Sequence, residues 1–210
     1  MMRFKNQKTD KRDGGNDRGA ALLEFTIVAS LLLALVFGIV EFGLAFRDRL
    51  TVSNATQSAA RVGSALGFDD GSDLQVLLSL EQSLATLPNS GADVVRYVDI
   101  YLADGNGDPA VSCGASGSSA CNRYFWSPGF GTCDWNPCPD PADGYSGWTW
   151  TPASRDVALP GLDVMGVRVT YAHDWVTGFL PLPNVKCDGS PGAGCWGDTA
   201  VMRLEPQVFE

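Results

Sequence analysis

Residues 18–67, RGAALLEFTIVASLLLALVFGIVEFGLAFRDRLTVSNATQSAARVGSALG, decide the fold. From Ala20 to Phe46 the only ionisable side chains are Glu24 and Glu41. As a helix that stretch rises roughly 40 Å, enough to cross a hydrocarbon core of about 30 Å. Leucine, alanine, valine and isoleucine pass all round the barrel, as a lipid-facing span requires. A cleaved secretory signal is the competing reading, because a basic region precedes the run and Gly43-Leu44-Ala45 loosely fits a small-x-small cleavage site. The length of the run and the acids at both ends argue against it. Beyond the apolar stretch, Leu50, Asn54, Gln57 or Ser58, Arg61 and Ala65 follow one another at spacings of three and four, with Ala55, Ala59, Ala60 and Gly63 between them. The helix is therefore expected to continue outside the membrane over 47–67, with Gly67 as its stop.

Toward the amino terminus, residues 1–18 (MMRFKNQKTDKRDGGNDR) are polar and basic with no hydrophobic period, so nothing offsets the entropy of ordering them. They read as a disordered tail. Their Arg3, Lys5, Lys8, Lys11, Arg12 and Arg18 outnumber Asp10, Asp13 and Asp17, which puts the amino terminus on the cytoplasmic side. From Leu50 onward the balance reverses: 18 acidic against 7 basic side chains, hence −11. That argues against nucleic acid as a partner, since such binding needs clustered cations.

Toward the carboxy terminus a shorter amphipathic helix follows. Ser72 is placed to cap it, Asp73 suits its positive end, Leu74, Leu77, Leu78, Leu84 and Leu87 form a stripe, and Pro88 ends it. Three segments then alternate with period two: Val94–Leu102, Val164–Tyr171 and Thr199–Val208. In the middle one Met165, Val167, Val169 and Tyr171 share a face, with Arg168 and Thr170 on the other. Residues 103–159, rich in Gly, Pro, Ser, Trp and Cys, read as an insertion with short strands at best. All six cysteines follow the apolar run and so share one compartment, where an even count points to disulfides. The short spacings suggest Cys113 with Cys121, Cys133 with Cys138, and Cys187 with Cys195.

The motif that carries function lies where the tail meets the membrane, at Arg18-Gly19-Ala20-Ala21-Leu22-Leu23-Glu24-Phe25. An acid deep inside an apolar run costs roughly 2.5–3.5 kcal/mol, and less near the interface, so it calls for compensation. Snorkelling to the headgroups is the bland alternative. The arrangement resembles the processing site of type IV pilin-like proteins. That resemblance implies cleavage after Gly19 by a membrane aspartyl peptidase, with Ala20 as the new amino terminus and Glu24 as the fifth mature residue. The carboxylate of one subunit would then neutralise the new amine of its neighbour. The Arg-Gly-Ala opening at 18–20, the Glu24-Phe25 pair, Glu41-Phe42-Gly43 and Ala59-Ala60-Arg61-x-Gly63 recur in the order of the TadE-like family of minor pseudopilins, from the tight-adherence systems that build Flp-type pili. The resemblance implies assembly roles for Glu24, Phe25, Glu41 and Arg61. It implies as partners the membrane, other pilin-like subunits, an inner-membrane platform and a prepilin peptidase. Glu41 is expected either to pair with Arg47 or Arg49 of a neighbouring subunit or to reach headgroups and water.

Catalytic constellations are poorly supplied. The one histidine, His173, sits at the end of an expected strand, and G-x-S-x-G, P-loop and dinucleotide patterns are missing from the sequence. Asp104-Gly105-Asn106-Gly107-Asp108 has the oxygen pattern of half a calcium loop, but Pro109 stands where glycine belongs and Ala115 where glutamate belongs, which favours a plain turn. Tyr124, Phe125, Trp126, Trp135, Tyr145, Trp148 and Trp150 suit either a small core or a binding surface.

The chain is thus expected to be α+β: a basic tail or leader (1–19), a transmembrane helix (20–46), its outer extension (47–67) and an extracytoplasmic domain (68–210) with an antiparallel sheet and a disulfide-pinned insertion. No enzyme activity, cofactor or metal is expected. An anchored adhesin or carbohydrate binder is the alternative from another class.

Overall fold

Long helix-forming side chains without an internal proline carry α1 unbroken from Asn16 to Leu66, 51 residues and about 75 Å of rise. The structure, a computed structural model, describes residues 16–87, 91–111, 113, 120–129, 133–141, 149–173 and 195–207. Helix α1 thus begins before Gly19, inside the segment expected to be a tail. It ends at Leu66, and Gly67 lies close under Leu204, whose Cδ2 would stand 2.8 Å from any Cβ there. Backbone turns Asp69 N to Leu66 O (2.7 Å) and Ser72 N to Asp69 O (3.0 Å) then reverse the chain.

Helix α2 covers Ser72–Leu84, antiparallel to the end of α1, with Gly71 as its N-cap in the left-handed region (φ 80°). Ser72 is therefore not the cap. Its buried face is Asp73, Val76, Leu77, Leu80 and Leu84. Leu78, expected in the apolar stripe, is instead 41 % exposed. The helix is rotated relative to a purely apolar reading because Asp73 has partners in the interior.

Five strands form one antiparallel sheet: β1 (Val95–Leu102), β2 (Cys121–Trp126), β3 (Trp135–Asn136), β4 (Val164–Ala172) and β5 (Cys195–Arg203). Their spatial order is β3-β2-β1-β4-β5. Two of these strands come from the stretch read as an insertion. The final strand is displaced toward the amino terminus from its expected Thr199–Val208, because beyond Arg203 the backbone leaves the sheet. Leu204 N bonds Asp163 O (2.9 Å) and Glu205 N bonds Ser64 O (3.0 Å).

The register explains the two sheet faces. Val98 lies opposite Tyr124 and Val169, and Ile100 opposite Asn122 and Val167; Val98, Ile100, Tyr124, Val167 and Val169 belong to the core beneath the helices. Met165 and Tyr171 join them, as the alternation in β4 predicts. On the other face Asp99 lies opposite Arg123 and Arg168, forming two hydrogen bonds with Arg123 at 2.6 and 2.9 Å. Aromatic and hydrophobic burial on the helix side supplies most of the driving force, at about 25 cal/mol per Å² removed from water.

Candidate assembly site

The two halves of α1 are dressed in opposite ways. Between residues 19 and 40 every side chain is at least partly exposed, including Leu22 (68 %) and Phe25 (70 %). The window around this run has a mean hydropathy of 2.5 and is long and apolar enough to cross a membrane. From Val52 onward the face turned inward is Val52, Ala55, Thr56, Ala59, Ala60, Gly63 and Ser64, all buried. Small side chains let the helix axis lie close to the sheet, and a Cβ on Gly63 would strike Met165 of β4 and Val76 of α2. Leu50, Asn54, Gln57, Arg61 and Ala65 form the exposed side of this half.

Gly19 and Ala20 are exposed on α1, and a Cβ at Gly19 would meet nothing within 4 Å. Glycine costs a helix interior about 0.5–1 kcal/mol relative to alanine, and no intramolecular contact here calls for it. Glu24 is exposed amid Leu22, Leu23, Phe25, Ile27 and Val28. Among the described residues no cation lies within ion-pair distance of it. Glu24 and Phe25 thus share the bare apolar surface, while Arg61 stands on the open side of the packed half. The sites expected for assembly lie along one helix but not in one cluster.

Glu41 is 1 % exposed, and Ala45, one turn on, is 2 % exposed, so within the single chain the Glu41 side chain is covered. Asp48 continues that face: its Oδ2 lies 2.7 Å from His173 Nδ1. The imidazole stacks parallel to Trp196 (centroids 6.0 Å apart, interplanar angle 5°), and Tyr171 meets the same indole edge-on at 5.9 Å. Burial, then the nearby Asp198 carboxylate, pushes the Tyr171 phenol up to about 12, against the pull of Arg49. These contacts seat the exit of the apolar helix against the ends of β4 and β5. His173 is a packed, hydrogen-bonded residue with an acid partner.

A second polar centre is built on Asp73, which the sequence offers only as an acid suited to the positive end of α2. Asp73 and Arg155, both with fully buried side chains, pair at 2.5 Å. Asp73 Oδ2 also accepts hydrogen bonds from the Tyr124 hydroxyl (2.6 Å) and Asn122 Nδ2 (2.9 Å). Arg155 donates further to Ser72 Oγ (2.8 Å) and the Gly67 carbonyl (3.1 Å), and its guanidinium lies 4.5 Å from the Trp150 ring centroid. Burial, together with the Asp73 charge, holds the Tyr124 phenol well above its usual range. The network ties the start of α2 to β2 and to the loop carrying Arg155. Removing one partner would strand the other charge at a cost of about 3–5 kcal/mol. An acid inside the buried stripe of α2 was its one sequence signal; nothing marked Arg155 as its partner.

Two disulfides fall as expected, Cys113–Cys121 and Cys133–Cys138; the expected pairing of Cys187 with Cys195 involves a residue outside the described ones. Cys113, Cys121 and Asp99 bring potential metal-ligating atoms within 4.8 Å of one another, but both sulfurs are consumed in the disulfide and Asp99 is held by Arg123. The Asp104–Asp108 loop is a turn: Asp104 Oδ1 accepts from the backbone N–H of Asn106 (2.8 Å) and Asp108 (3.0 Å). Of the aromatic residues at 124–150, Tyr124, Trp135 and Trp150 belong to the core, Trp126 packs against it and Phe125 is 48 % exposed. Tyr145 and Trp148 lie outside the described residues.

Residues 19–61, about a fifth of the chain, match the family model described as TadE-like protein. The match opens on Gly19 and closes on Arg61, so it spans the bare half of α1 and the first turns of the packed half. Comparison with curated proteins and with solved structures finds no match.

Proposed function

We propose that this chain is a non-enzymatic minor pseudopilin or membrane-anchored assembly component of a tight-adherence, Flp-type pilus or related secretion system. The observation that carries the reading is Glu24, an exposed carboxylate on a bare apolar helix with no cation within ion-pair distance among the described residues, inside the segment that matches the TadE-like family model. In lipid such a charge is expensive, and a positive group from another subunit offsets that cost in a low-dielectric bundle. The new amine at Ala20, formed by cleavage after Gly19, is the cation the arrangement calls for, which makes a prepilin peptidase, other pilin-like subunits and the inner-membrane platform its partners.

The same reading places the amino terminus in the cytoplasm and the sheet domain outside. The disulfides support it, since such bonds persist in oxidising compartments. A non-catalytic role agrees with a histidine held by Asp48 and with cysteines engaged in disulfides. Sequencing the amino terminus of protein from assembled membranes tests the processing step: Ala20 as the first residue is expected, and an intact Met1 removes it. Glu24→Ala is expected to abolish or sharply reduce piliation while the outer domain keeps its disulfides and its melting temperature. Unchanged piliation would overturn the mechanism.

A further inference from the structure

Over residues 41–50 the charges of α1 are sorted by sign. Glu41 and Asp48 turn inward with Ala45, at the i, i+4, i+7 spacing of one helix face. Glu41 and Ala45 are 1 and 2 % exposed, and the Asp48 carboxylate is taken by His173 at 2.7 Å. Arg47 and Arg49 remain exposed, and among the described residues neither has a carboxylate within ion-pair distance. Between and beside them the open face carries Phe42 (60 % exposed), Phe46 (61 %) and Leu50 (51 %). Apolar side chains beside guanidiniums make a composition suited to a membrane interface, with the guanidiniums fit for phosphate.

We infer that Arg47 and Arg49 bind the phosphates of anionic lipids at the membrane face from which the domain emerges. The inference rests on Gly19–Val40 being the membrane span. The arginines then lie about 9–14 Å along the axis beyond Val40. The headgroup layer extends about 5–8 Å past the hydrocarbon, and arginine stems reach back toward it. Guanidinium groups suit phosphate because their forked donors bind it in pairs. The domain above carries 18 acids against 7 bases from Leu50 onward, so an anionic surface would repel it. With both nearby acids turned inward, the two arginines form a local cationic collar against that repulsion.

The test uses the full chain in nanodiscs containing phosphatidylcholine and phosphatidylglycerol in equal parts, followed by native mass spectrometry of the lipids retained on release. Phosphatidylglycerol should be enriched over phosphatidylcholine by about fivefold per arginine. The enrichment should fall to parity in the doubly substituted R47Q, R49Q chain and persist in R96Q, which removes an exposed charge from β1. Parity in the unsubstituted chain, or enrichment that survives the double substitution, would overturn the inference. Displacement of the retained lipid by inorganic phosphate would also overturn it, assigning the arginines to a free anion. Failure of every form of the chain to enter nanodiscs would sink the membrane span itself, whereas entry without lipid preference sinks only the collar.

Discussion

The two halves of α1 follow opposite rules although one unbroken backbone runs through both. In the half from 19 to 40, leucine, isoleucine and phenylalanine face outward, most of them more than half exposed. In the half from 52 to 66 the buried positions are mainly alanine, glycine, serine and threonine, with Val52. A helix packed in water hides its largest apolar side chains; this one hides its smallest and displays its largest. The inversion teaches that the first half is dressed as a helix that meets lipid or other helices would be, and that the second half is shaped for close approach. Hydrophobicity alone therefore cannot say which face of α1 is inside.

The largest expected effect lies at the clamp that holds α2 against the packed half. Arg155→Met should lower the unfolding free energy of the detergent-solubilised chain by about 3–5 kcal/mol, because Asp73 is left charged and buried. Denaturant titration measures it, and combining the change with Asp73→Leu should restore a substantial part. If Arg155→Met alone costs nothing, the packed half does not depend on the clamp.

Next in size is a matched pair on α1. Val52→Ala, at a fully buried position, should cost about 2 kcal/mol. Val36→Ala, at a position 46 % exposed, should stay within about 0.5 kcal/mol. Equal losses measured by thermal unfolding would erase the contrast between the halves.

A glycine pair sharpens the comparison through sign. Gly63→Ala drives a methyl group against Met165 and Val76 and should destabilise by about 1–3 kcal/mol. Gly38→Ala meets nothing within 4 Å and should leave the isolated chain unchanged or up to about 1 kcal/mol more stable. A loss of assembly from Gly38→Ala with stability intact would mean that another helix closes on that position.

The smallest effect is alkaline. The Tyr171 phenol is raised from 10.0 to about 12 in the folded chain, so the unfolded chain ionises first. Stability at this group is complete below pH 10 and is lost as pH rises through about 12. Tyr124 moves in the same direction. Following phenolate absorbance with pH should show unfolding begin above pH 10, and Tyr171→Phe should delay it.

Much of this was legible in the sequence. The long apolar run and the small-residue stretch announced α1, and alternation announced β1 and β4. Short spacings between cysteines located two of the disulfides. Other parts had no local signature. Strand β2, Cys121–Trp126, is an interior strand whose alternation is blurred by Asn122, which is buried for the sake of Asp73 and Trp150. The last strand ends at Arg203, short of its expected bound, because the period of Thr199–Val208 runs on beyond the point where Glu205 bonds Ser64. Asp73 and Arg155 lie 82 residues apart, and nothing near either one names the other. The orientation of Glu41 is of the same kind: it depends on tertiary cover, which a periodic pattern does not contain.

The placement of β5 also has a consequence for biosynthesis. Ser64 Oγ donates to the Arg203 carbonyl at 2.7 Å, and β4 and β5 are the strands beneath the packed half of α1. In the topology proposed above, a nascent chain inserts its apolar anchor long before those strands emerge from the ribosome and the translocation channel. Throughout that interval the inner stripe of α1 stands uncovered beside the bilayer, a landing place for chaperones or for the wrong helix. Quality control would therefore find its discriminating signal there, and a nonsense mutation upstream of Cys195 would leave the stalk inserted but never sheathed.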